Sequence, residues 1–181
     1  MGLNKNPWEE APHIWPTKAS FFNFLRGAFR RAIWEKYPLK FEFKNETCKP
    51  PPEGYTGRAK SGAPCSLTGV WTGKSAAEID HLVGHVSLQD WDDVLPFVQH
   101  LCTTKDNMAY VSKEAHKIKS YAERMGITFA EALLEKRVIA IEKTKTAGVI
   151  AFLKGKGIVP GKNAKERRQQ IVDVLKKEKH G

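Results

Sequence analysis

From Ser20 to Tyr37 apolar residues return at three- and four-residue steps: Phe21, Phe22, Leu25, Phe29, Ala32 and Ile33. That period predicts a helix, with Arg26, Arg30 and Arg31 on or beside a second stripe of it. Pro38 is expected to end it, because proline disfavours the helical conformation at Tyr37. Leu39 to Lys44 (LKFEFK) then alternates apolar and charged, which predicts a half-buried strand. Upstream, residues 1–16 hold Trp8, Trp15 and three prolines and read as an extended segment pinned by its aromatics.

Residues 45–64 are rich in proline and glycine and predict a loop. A short β pair is expected next, from Gly69–Thr72 and Ala77–Asp80, turning near Thr72–Ser75. Ser87 to Leu101 reads as a helical stretch broken at Pro96. Ser112 suits the N-cap of a helix to about Met125, with Gly126 as its stop. Thr128 and Glu131 fit a capping box opening a helix to about Lys143. A short helix over 145–154 follows, and Asn163–Glu166 caps a last basic helix from Ala164 to about Lys177.

No apolar run in the 181 residues approaches the ~18 needed to span a membrane. Met1–Trp8 has no apolar stretch of the secretory kind. Gly2 lacks the downstream Ser or Thr of a myristoylation signal, since Asn6 stands there. Cys48, Cys65 and Cys102 are too few for a disulfide framework and contain no Cys-x-x-Cys pair. These features lead to the expectation of a cytoplasmic protein with no membrane partner.

Charge adds a partner class. Thirty Lys+Arg against twenty Asp+Glu give a net charge of +10, unevenly spread. Residues 1–72 carry +5, 73–107 carry −4, 108–144 carry +2 and 145–181 carry +7. Basic arms around an acidic centre suit a polyanion-binding protein that also holds a cation, and equally suit solvated faces of ordinary helices.

Two of the six histidines stand out by context. His81 follows Asp80 at the end of an expected strand, and His116 lies one turn into the next firm helix. Asn107 precedes His116 by nine residues, and Lys119 and Ser120 follow it. The string Asp80-His81, a loop, Asn107, His116, Lys119-Ser120 resembles the His-Asn-His (HNH) endonuclease family of the ββα-metal type. The motif spans residues 78–120, and the flanks are similar to those of phage-encoded HNH proteins.

The resemblance implies a metal-dependent DNA endonuclease leaving 5′-phosphate and 3′-hydroxyl ends. It implies His81 as general base, Asp80 and His116 as ligands of one divalent ion (Mg²⁺, Mn²⁺ or another first-row metal), and Asn107 as the residue orienting His81. A neutral imidazole can take a proton near physiological pH. Lys119, one turn beyond His116, shares its face and can reach a phosphate oxygen. His85 is a weaker candidate for the same site.

Many family members add two Cys-x-x-Cys pairs that bind a structural zinc. The matching positions here are Cys65, Thr68, Ser112 and Ala115. One thiolate cannot close a tetrahedral site, so no structural zinc is expected, with Trp71, Val111 and neighbouring apolar residues packing in its place. Asp90, Asp92 and Asp93 lack the spacing of a calcium loop and read as a solvated helix start.

The fold expected is thus α+β and mostly helical: an arm, basic helix, strand and loop over 1–64, a ββα-metal core over 65–125, and a basic helical region over 126–181. Candidate DNA contacts are Lys119, Arg26, Arg30, Arg31, Arg58, Lys60, Arg167 and Arg168. The competing reading is a non-catalytic DNA-binding protein with a relic motif; a small structural phage protein is a third. Strand specificity, target sequence and oligomeric state, monomer or homodimer, stay open at this stage.

Overall fold

Thr17 starts the first long helix by capping it: its hydroxyl accepts the Ser20 amide at 3.1 Å while the Ser20 hydroxyl accepts the Thr17 amide at 3.1 Å. A computed structural model describes residues 6–83 and 86–178, and the statements below concern those residues. The chain forms two compact units, Met1–Lys113 and Glu114–Gly181. The architecture is α+β and mostly helical, with two small antiparallel sheets. No described helix is long and apolar enough to cross a membrane.

In the first unit a single turn, α1 (Pro7–Glu10), precedes α2 (Lys18–Ala32). Phe21 and Phe22 are buried, and Trp8, Trp15, Leu25 and Phe29 pack around them. A 3-10 turn at Trp34–Lys36 leads into α3 (Pro38–Thr47). The expected strand over 39–44 is therefore a helix. Pro38 does not only end what precedes it; it occupies the first turn of α3, where its missing amide costs nothing. Leu39 and Phe43, four apart, both pack on the core, while Phe41 is turned out and 50% exposed. Six alternating residues fit either period at those two positions, and the Leu, Lys and Glu among them are good helix formers.

The strands pair differently from expectation. β1 (Gly62–Pro64) pairs with β2 (Trp71–Gly73), and β3 (Ala77–His81) pairs with β4 (Met108–Ser112). The segments around 71 and 77 belong to different sheets, separated by a 3-10 turn at Lys74–Ala76. β1 was hidden inside the proline/glycine stretch. Gly62 is needed there, because a Cβ would lie 2.2 Å from the Thr72 carbonyl oxygen. β4 was hidden because its first four residues are all buried, leaving no alternation to read.

Tyr110, in the middle of β4 and 1% exposed, joins these pieces. Its hydroxyl donates to the Thr72 carbonyl at 2.9 Å, and its own carbonyl accepts the Ser66 amide at 2.8 Å and the Ser66 hydroxyl at 3.1 Å. α4 (Val94–Leu101) completes the unit, burying Phe97 and Leu101. Pro96 is accommodated in its first turn, where no helical partner is lost. The acidic run before α4 is a helix approach, with the Asp93 carboxylate accepting the amides of Gln89 at 2.7 Å and Asp90 at 3.0 Å.

The second unit is helical. α5 (Lys113–Met125) begins directly after β4 and closes at Gly126, whose φ of +64° suits glycine. α6 (Phe129–Glu142) opens on the expected Thr128/Glu131 capping box. α7 (Lys145–Gly155) follows, then α8 (Ala164–Glu178), capped by Asn163, whose side-chain oxygen accepts the Glu166 amide at 2.9 Å. Val138, Val149, Leu153, Ile171 and Leu175 form the core of α6–α8, and Ile118, Ala122 and Ala132 a smaller one between α5 and α6.

Removing the Tyr110 hydroxyl tests its joining role. Tyr110→Phe strands the buried Thr72 carbonyl and is expected to cost about 1–3 kcal/mol, read as a lower urea midpoint at unchanged slope. A loss below about 0.5 kcal/mol would mean that the ring alone holds the two sheets.

Candidate active site

Successive residues of a strand face opposite ways. Along β3, Ala77, Ile79 and His81 are buried, while Glu78 and Asp80 are half-buried on the other face. The Asp80-His81 dipeptide therefore splits: the carboxylate sits on the wetter face, and the imidazole enters the core at 7% exposure.

There His81 is sandwiched. Its ring lies 4.1 Å from that of Trp34 and 4.1 Å from that of His100, the latter stacked at 25°. Nε2 is 3.0 Å from the His100 carbonyl oxygen. A carbonyl only accepts, so Nε2 carries the proton of the neutral ring and Nδ1 its lone pair. Burial, followed by the nearby His100, pushes the His81 pKa down to about 4, against the opposing pull of Asp80. At neutral pH the ring is uncharged.

Asn107 holds the chain that leaves this histidine. Its side-chain oxygen accepts the Val83 amide at 2.7 Å, its backbone carbonyl accepts the Leu82 amide at 3.0 Å, and its Nδ2 donates to Thr103 Oγ1 at 3.0 Å. It acts on the backbone next to His81, tying Leu82 and Val83 to the residue before β4. His85 lies outside the described residues.

His116 and Lys119 belong to the second unit. Both are half-buried on α5, one turn apart, and Lys119 pairs with Glu123 at 3.4 Å. Among the described residues no three His, Cys, Asp or Glu side chains gather as a metal-holding group. Asp80 lies in the first unit and His116 in the second; a carboxylate and an imidazole are each donors that a hard or borderline divalent ion accepts.

Three of the four positions matched to the family's zinc ligands come together. Thr68 and Gly69 turn back on Cys65, their amides donating to its carbonyl at 3.2 and 2.7 Å. The Ser112 amide donates to Cys65 Sγ at 3.3 Å. Burial alone would raise this thiol's pKa, but hydrogen bonds from the Thr68 side chain and the amides of Ser112, Leu67 and Thr68 bring it below the usual value. Protein donors surround the one sulfur, while Val111 is buried and Trp71 half-buried; Ala115, the fourth position, is buried on α5.

The basic candidates divide. Arg26 donates to the Leu88 carbonyl at 3.2 Å, with its Nε buried and unpartnered. Arg167 donates to the carbonyls of Gly161 at 3.0 Å and Lys162 at 3.1 Å, and Arg168 pairs with Glu135 and Glu142 of α6. These three arginines brace the fold and have fewer donors to offer a phosphate. Arg30, Arg31, Arg58 and Lys60 are exposed.

Sequence reasoning passed over Trp34 and His100, which frame His81. Neither stands at a spacing from His81 that marks it. Both are brought in by turns, one after α2 and one in the last turn of α4.

A depressed histidine pKa has a defined consequence. The folded value of about 4 lies below the ordinary 6.5, so between these pH values the unfolded chain binds more protons. Stability is therefore complete above about pH 6.5, falls as pH drops towards 4, and levels off below that. The His81 Cε1 proton should titrate near pH 4 by NMR, and His81→Phe should flatten the fall in urea midpoint. A midpoint near 6.5 would contradict the sandwich.

Comparison of the chain with protein-family models, with curated proteins and with solved structures finds no match.

Proposed function

We propose that this protein is a metal-dependent DNA endonuclease of the HNH, ββα-metal kind. One observation carries the reading: Asp80-His81 ends β3, Asn107 staples the intervening loop immediately before the partner strand β4, and α5, bearing His116 and Lys119, follows without a linking residue. The resemblance led to the expectation of a strand, a loop and a helix in this order; β4, between loop and helix, is a strand that was not expected there. The grouping of Cys65, Thr68 and Ser112 lends independent support, because it sits where the family's zinc ligands would.

In this reading the neutral His81 takes a proton from water at Nδ1 as the water oxygen attacks phosphorus in line. The P–O3′ bond breaks, leaving a 5′-phosphate and a 3′-oxygen that is protonated from solvent. Asn107 fixes the backbone from which the base projects, and Lys119 offers its ammonium to a non-bridging phosphate oxygen. The resemblance assigns Asp80 and His116 as ligands of a divalent ion, which when bound would supply positive charge at the scissile phosphate and the leaving oxygen.

A second reading, DNA binding without catalysis, draws on the burial of His81. A pKa of about 4 gives a weak base, and general bases work best near the operating pH.

Supercoiled plasmid separates the two. Wild type should convert it to open-circle or linear form with Mg²⁺ or Mn²⁺ and not with EDTA. His81→Ala should bind equally well and cut at least ~100-fold more slowly. Tight binding by wild type with no cutting under either metal would replace the first reading with the second.

A further inference from the structure

As a strand, residues 39–44 would have put Lys40, Glu42 and Lys44 on one face, largely neutralising each other. As the helix α3 they separate. Glu42 and Glu46, four apart, both reach Lys105, at 3.1 and 2.7 Å. Lys40 and Lys44, also four apart, lie on a different stripe, about 200° around from those acids at 100° per residue.

The basic stripe runs along β3. Lys40 Nζ sits 4.7 Å from the centre of the Trp34 ring, which itself lies 4.1 Å from His81 at the end of the strand. Lys44 Nζ donates to the carbonyl of Ala77, at the strand's start, at 2.8 Å. Lys74 continues the line, donating to the Asn45 side-chain oxygen at 2.6 Å. β3 covers ~13 Å at ~3.3 Å per residue, comparable to several phosphates of one DNA strand at ~3.4 Å axial rise.

All three ammonium groups rest on neutral partners: a ring, a peptide carbonyl and an amide. Burial lowers the pKa of both Lys40 and Lys44. Around Lys40, Glu35 and Glu78 favour the charged form and Lys44 and Arg30 oppose it; around Lys44, Cys48 and Glu78 favour it and Lys113 and Lys74 oppose it. Half-buried ammonium groups resting on neutral partners are under-compensated, and an arriving polyanion favours their charged form.

We propose that the face formed by Arg30, Lys40, Lys44 and Lys74 seats the phosphate backbone of duplex DNA and leads it to His81. This rests on the nuclease reading for its choice of DNA, but binding can be measured apart from cutting. None of the three lysines is among the candidate contacts legible in the sequence.

The test is fluorescence anisotropy of a labelled 20-base-pair duplex in EDTA, between 50 and 200 mM salt. Lys40→Gln/Lys44→Gln/Lys74→Gln should weaken binding at least tenfold at 100 mM and reduce the salt slope by about 2–3, at ~0.9 per lost phosphate contact. Lys154→Gln/Lys165→Gln/Lys176→Gln removes equal charge from exposed positions of α7 and α8, and should cost less than about threefold. The ordering of these losses follows from localised contacts rather than net charge.

Lys40→Gln/Lys74→Gln leaves the Lys44–Ala77 bond in place and should still lose several-fold if the triple variant unfolds. Lys→Arg at all three sites should retain binding. Equal losses in the two triple variants, or none in the first, would overturn the proposal. So would tighter binding of poly-glutamate than of DNA, or a wild type that does not bind duplex at 50 mM salt. If binding behaves as expected but plasmid is never cut, the nuclease reading fails and this surface stands.

Discussion

Most of the first unit hangs on one buried tyrosine. Tyr110 is a member of β4, so its backbone is committed to β3; its hydroxyl reaches β2, and its carbonyl holds the turn after β1. Two-stranded sheets are marginal alone, and here a single side chain makes each the support of the other. The Cys48 thiol, at the end of α3, also lies 3.8 Å from the same hydroxyl. Burial, with Cys48 beside it, pushes the phenol far above its ordinary pKa and keeps it a neutral donor. The position of His81 follows, because β3 is registered on β4 with His81 opposite Met108.

The helices were readable because their ends carry chemistry. Thr128 with Glu131, Asn163 with Glu166, and Gly126 each satisfy a terminal backbone group, and such signals sit at fixed spacing in the sequence. The strands were less readable for two opposite reasons. β4 shows no alternation because nearly all of it is buried, and β1 consists of Gly-Ala-Pro, which announces a loop. The error over 39–44 was one of period: Leu39 and Phe43 satisfy both spacings, and only the outward Phe41 tells them apart.

Much the same divides the site. The order of Asp80, His81, Asn107, His116 and Lys119 could be read along the chain because the elements bearing them follow one another. What surrounds His81 could not, since Trp34 and His100 arrive from turns distant in sequence. An arginine's usefulness to a ligand was also hidden. Arg26 and Arg168 look like surface charge in a basic helix, yet one donates to the Leu88 carbonyl and the other pairs with two glutamates of α6. Lys105 carries two carboxylates of α3 in a similar way, and its own pKa is raised by those bonds. Charge counted along a sequence therefore overstates the charge presented to a partner.

The place of Tyr110 in the chain also bears on how the protein is made. β4 is the last strand of the first unit, so everything from α1 to α4 leaves the ribosome before the residue that joins its two sheets. Through those ~100 residues, at ~5–20 residues per second, the aromatic cluster around Phe21 and Phe22 has no closed sheet to rest on. The second unit faces no such delay, because its helices contact near neighbours in sequence and local contacts form fastest. The end synthesised first is thus the one that must wait, and for those seconds it is the part of the nascent chain most open to chaperones and proteases.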